Sequence, residues 1–173
     1  NLPLIPEGWC NSNGQTADTD KFDAGAAVWF ICPQSDCMIT TPGQVVMSDD
    51  QDFTCNVNKY KMLANFIPVP LDLNNKDQVA YEGIEPYDYS FPPAFAGKAP
   101  NVQVWTGGGY TQYYYLKEHH MMNNPNLPLI PEGWCNSNGQ ALTDADKIPV
   151  GRGFWVIVYD KDDTKTYTVT FKQ

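Results

Sequence analysis

The chain has 173 residues, 42% of them apolar, enough for one well-packed domain or two small ones. A formal net charge of -9 disfavours nucleic acid and anionic membrane surfaces, which are held by clustered Lys and Arg. No run of about 18 apolar residues is present to span a bilayer.

The 14 prolines and 13 glycines leave little room for long helices, and the 10 tyrosines favour strands and contact surfaces. The chain starts at Asn1 with neither a methionine nor an apolar leader. It is therefore expected to be an exported chain that has lost its leader, or a piece of a longer one.

The first element is one half of a duplication. Residues 1–15, NLPLIPEGWCNSNGQ, recur without a change at 126–140. Past this block the copies diverge, but Gly25, Trp29 and Ile31 still match Gly151, Trp155 and Ile157. A period of about 125 residues suits tandem domains or pseudo-symmetric halves. Leu2, Leu4 and Ile5 stand beside Pro3 and Pro6, which makes the segment apolar yet poor at pairing inside a sheet. It is expected along an edge or an interface, with Trp9 and Trp134 as anchors.

The next stretch is rich in hard oxygen ligands. Asn11, Asn13, Asp18 and Asp20 are echoed by Asn136, Asn138, Asp144 and Asp146, close to a glycine in each copy. Calcium takes such ligands. Asx turns account for the same residues without any ion, and that reading is preferred. The expectation is no cofactor, with calcium as the alternative.

Residues 26–32 and 37–41 predict two strands around a Pro-Gln-Ser-Asp turn, which brings Cys32 and Cys37 within disulfide reach. Val158 and Asp163 replace both cysteines in the second copy, as a bonded pair would require. Zinc fits less well, for there is no second close cysteine pair. Cys10, Cys55 and Cys135 leave one thiol odd.

In residues 44–125, strands are expected at 60–67 and 77–84, then a surface loop over 85–100. Residues 101–106 and 110–116 form a predicted hairpin through Gly107, Gly108 and Gly109. It carries Trp105, Tyr110, Tyr113, Tyr114 and Tyr115, which alternation must divide between the two sheet faces. One set is a candidate platform for a glycan or a protein partner; the plain alternative is that one set is core and the other decorates an exposed strand. His119, His120, Met121 and Met122 have copper-binding chemistry, although a solvated loop fits them equally.

The second copy ends in a predicted hairpin of 153–159 and 165–171, expected to superpose on 26–41. Tyr167, Val169 and Phe171 alternate with threonines there, as in a half-buried strand.

No nucleophile elbow, phosphate loop or zinc-protease motif occurs, and the two histidines are adjacent. An acid, a base and an orienting group cannot be assembled, so an enzyme is not expected.

Three stretches carry a resemblance: Leu63 to Asn74 (LANFIPVPLDLN), Val104 to Tyr110 (VWTGGGY) and Ile148 to Val156 (IPVGRGFWV). Together they resemble β-rich repeat segments of exported bacterial surface proteins. Asn65-Phe66-Ile67-Pro68 departs from the Asn-Pro usual in those segments. The resemblance implies secretion and a tandem arrangement and transfers no ligand or catalytic residue.

The reading is an all-β chain, a β-sandwich or barrel with an internal repeat of a Trp-centred hairpin. Residues 1–173 form one unit, in which 1–43 and 126–173 flank 44–125. A non-enzymatic, self-associating extracellular or cell-surface subunit is expected, and a carbohydrate-binding module is the alternative.

Overall fold

The computed structural model describes residue 27, residues 50–88 and residues 97–172. Within these the chain is all-β. Ten strands run in order: β1 (Gln51–Asn56), β2 (Lys61–Ala64), β3 (Val79–Glu82), β4 (Asn101–Trp105), β5 (Tyr110–Leu116), β6 (His119–His120), β7 (Leu129–Ile130), β8 (Gly133–Asn136), β9 (Gly153–Ile157) and β10 (Thr166–Phe171).

They form three open antiparallel sheets, ordered β1-β10-β3, β2-β9-β4-β5-β8 and β6-β7. The expected hairpin of β4 and β5 is present, with Trp105 opposite Tyr110 and Asn101 opposite Tyr114.

Period-two alternation decides which side of each strand is dry. Tyr167, Val169 and Phe171 of β10 are buried, whereas Thr166 is exposed. Cys55 and Phe53 of β1 and Val79 and Tyr81 of β3 stand beside them in register. Leu63, Val102, Val104, Phe154, Val156, Tyr113 and Trp134 of the five-stranded sheet join the same core.

Two aromatic groups bridge these layers. Phe171 has Phe66, Phe53 and Phe154 at centroid distances of 5.0, 5.7 and 6.3 Å. Tyr81 meets Trp134 at 5.5 Å and Tyr115 at 6.1 Å. Burying each such ring stabilises the fold by about 1.5–3 kcal/mol.

The expected hairpin over 153–171 is not formed. β9 pairs with β2 and β4, and β10 pairs with β1 and β3, so the chain changes sheet between them. In a flat hairpin the apolar sides of both strands would point the same way. Across two layers, Phe154 and Val156 cover Tyr167 and Phe171 instead.

The β1–β2 stretch makes the same crossing at the same end. Asn58 stitches the two corners together from a left-handed conformation (φ 58°). Its backbone N–H donates to Val158 O at 2.7 Å, and its Nδ2 donates to Asp160 O at 2.8 Å and to Asp163 Oδ1. The counterpart residues 26–41 lie outside the described residues except for Ala27.

Asn65 brings two of the resemblance stretches together. Fully buried, it donates from Nδ2 to Ile148 O at 2.8 Å and to Val69 O at 3.0 Å. Its backbone N–H donates to Arg152 O, and its carbonyl accepts from Gly151.

Candidate interaction surface

The outer face of the five-stranded sheet is divided. Over β5 and β8, Tyr114, Leu116, Cys135 and Ile130 form a second buried cluster, against which Tyr87 and Met121 pack. The small β6–β7 sheet supplies this roof, aided by the bridge of Tyr87 to Leu116.

Over β2, β9 and β4 the face is more open. Cross-strand register sets Met62 beside Trp155 and Trp155 beside Gln103. Tyr60 leans edge-on against Trp155 at 6.2 Å and 82°, and Tyr110 against Trp105 at 5.1 Å and 66°. Gln103 Nε2 donates to the Tyr60 hydroxyl at 3.2 Å. Tyr60 is 52% exposed and Tyr110 44%.

A cleft of about 130 Å³ lies among Met62, Trp105, Tyr110, Arg152, Gly153 and Trp155. A wider cavity of about 350 Å³ on the same face is lined by Tyr60, Gln103, Tyr110 and Trp155, at the lower end of the roughly 300–1,000 Å³ of small-molecule sites. Ala27 also reaches this face, since a Cβ on Gly153 would lie 3.3 Å from its Cβ. Ala27 and Gly153 hold equivalent places in the two copies of the duplication.

Of the four candidate aromatic residues, the structure joins Trp105 and Tyr110 on one face. Tyr113 and Tyr115 point the other way, into the core, where Tyr115 packs on Trp134 at 5.1 Å. Odd and even positions of one strand cannot share a face. Sequence reasoning left out Tyr60, Met62, Gln103 and Trp155. The alternation within β9, which turns Phe154 inward and Trp155 outward, was the signal that could have found Trp155.

The expectation of an edge or interface for residues 1–15 lies outside the described residues; in the second copy, Gly133–Asn136 form β8, the outermost strand of its sheet among the described residues. Trp134, however, is no anchor for another chain. It is 1% exposed and belongs to its own core, because the inner side of β8 faces Tyr81 and Tyr115. Its backbone is held from the open side by Asn74, whose Oδ1 accepts from Trp134 N–H at 2.8 Å. Asn74 Nδ2 donates to Trp134 O at 2.9 Å. A side-chain amide thus replaces the neighbouring strand that an edge lacks. Gly133 (φ 114°) is required beside it, since a Cβ there would meet Asn74 Oδ1 at 2.8 Å.

The oxygen-rich residues are engaged locally. Asn136 Oδ1 accepts from Asn138 N–H at 2.9 Å and Gln140 N–H at 3.1 Å, an Asx turn. Asp144 pairs with Lys147 at 2.8 Å, and Asp146 Oδ2 accepts from Thr143 N–H at 2.9 Å. Among the described residues, no three His, Cys, Asp or Glu side chains gather as metal ligands.

His119 and His120, neighbours on one strand, point to opposite sides. Each has Nδ1 near a backbone carbonyl, at 2.8 Å from Lys117 O and 3.0 Å from Leu127 O.

Cys55 and Cys135 are free and buried. Burial pushes the Cys135 thiol up to about 12, so it stays protonated at neutral pH.

Leu2, Leu4, Ile5, Trp9, Cys10, Asn11, Asn13, Asp18, Asp20, Cys32 and Cys37 lie outside the described residues. No helix among the described residues is long and apolar enough to cross a membrane. No family model matches this chain, and no curated protein or solved structure matches it.

Proposed function

We propose that this chain is a non-enzymatic, self-associating structural module of an exported bacterial surface protein, with a β-sandwich as its repeat unit. Its partners are further copies of itself. The observation that carries the reading is the more open aromatic half of the five-stranded sheet, where Tyr60 and Tyr110 are exposed. Contact surfaces between proteins favour Tyr, Trp, Met and Arg, and this face presents all four.

Glycan binding is the second reading, favoured by the exposed Tyr110 and Tyr60. Against it, the ring pairs meet edge-on instead of lying in one plane. The acidic composition, the tandem duplication and the resemblance support an extracellular or cell-surface place.

Sedimentation velocity across a concentration series tests the proposal. The wild-type chain should form concentration-dependent oligomers, and Tyr60→Ala with Tyr110→Ala should weaken them at least tenfold. A chain that stays monomeric and binds immobilised glycans through Tyr110 overturns it in favour of the second reading.

A further inference from the structure

The duplicated segment is a key, and the structure describes one lock. In residues 126–140, Ile130 fills the roof cluster, and Gly133 permits the approach of Asn74. Trp134 enters the core, Cys135 lies opposite Tyr114, and Asn136 with Gly139 (φ 77°) closes the turn. Residues 1–15 repeat every one of these as Ile5, Gly8, Trp9, Cys10, Asn11 and Gly14. The lock is formed by β5, Tyr81 and Asn74. Its residues occur once in the chain, and residues 126–140 already occupy it.

Resting on the self-association reading, we propose that residues 1–15 of a second copy dock on β5 and Asn74 in place of residues 126–140. The result is a segment exchange between chains. The same segment would make the same contacts in either position, so concentration decides the occupant. A tethered segment acts at an effective concentration on the order of millimolar. Exchange is therefore minor in dilute solution and grows where chains are crowded on a surface. A donor at one end and an acceptor elsewhere make a head-to-tail contact, which extends into filaments unless it closes into a ring.

The test compares Trp9→Ala, Trp134→Ala and the double variant in the full chain, by thermal unfolding and sedimentation over a concentration series. Trp9→Ala alone should leave the midpoint unchanged. Trp134→Ala should gain concentration-dependent oligomers that need Trp9, and the double variant should lose them and melt roughly 10 °C lower still.

Equal midpoints and sizes for Trp134→Ala and the double variant overturn the proposal. So does a Trp9→Ala chain as unstable as Trp134→Ala, which would give Trp9 a groove of its own. Rescue by Trp9 in chains that remain monomeric overturns the exchange between copies.

If Trp134→Ala does not fold, a synthetic peptide of residues 1–15 added during refolding should restore a cooperative transition saturably. The same peptide with Gly8→Val should not, because its side chain would meet Asn74. Failure of the unaltered peptide overturns the dock. Wild-type oligomers that survive Trp9→Ala, with no Trp9 dependence in the Trp134 variants, also sink the dock and leave the aromatic-face reading standing.

Discussion

Tyr110 and Tyr114 stand on the same strand and the same face, yet Tyr110 is 44% exposed and Tyr114 only 6%. Nothing in the residue itself separates them. The roof built by β6, β7, Tyr87 and Met121 ends between the two positions and turns one tyrosine into core. An aromatic strand therefore says that a face is sticky, and a neighbouring element decides whether that stickiness is spent inside the fold or offered to a partner.

The widest test of this contrast is to truncate one residue under the roof and one beyond it. Ile130→Ala should cost about 2–5 kcal/mol in urea unfolding, as other buried truncations do. Tyr110→Ala should cost less than about 1 kcal/mol while weakening self-association. Similar losses at both positions would dissolve the distinction.

The edge of the roofed half offers a finer test. Gly133→Ala should cost about 1–3 kcal/mol, since the residue sits at φ 114° against Asn74 Oδ1. Asn74→Ala should cost about 1 kcal/mol for its two hydrogen bonds. The double variant should lose less than the sum, because removing the amide relieves part of the clash. Strict additivity would show that the two do not meet.

Chemical labelling reads the roof directly. The protonated, buried Cys135 should resist a thiol reagent at pH 8 in the native chain, and Ile130→Ala should speed its reaction. Rapid labelling in the wild type would mean that the roof opens freely.

The smallest effect lies in the loop between β9 and β10. Lys165 holds the Asp160 carboxyl below its usual value from 2.8 Å. Its stabilising effect is present above the ordinary carboxylate pKa and is lost as pH falls through the lowered one. Lys165 is exposed and Asp160 half-exposed, so water screens the pair and Lys165→Met should flatten the acid limb of the stability profile only slightly. A large change would mean that this loop is tied to the core.

The β4–β5 hairpin and the alternation of β10 could both be read from the sequence. Each follows from local chemistry: a triple glycine or a period of two. The sheet change between β9 and β10 could not be read. Period two tells which side of a strand is apolar, not which sheet it joins, and its partners β1 and β2 are far away in the chain. Alternation divides Tyr113 and Tyr115 from Tyr110, but it does not tell which set becomes core. Asn74 gave no signal alone, because an exposed asparagine in a turn looks the same whether or not it caps a distant strand.

One feature of the fold has a mechanical reading. Gln51 lies opposite Phe171, and Asp52 opposite Thr170, so residues 50 and 172 leave the same end of the β1–β10 ladder. Tension between those two points loads the first rung alone, then the second, and peels the ladder open like a zip. Had residues 50 and 172 left opposite ends of the ladder, all rungs would be sheared together and would resist far more.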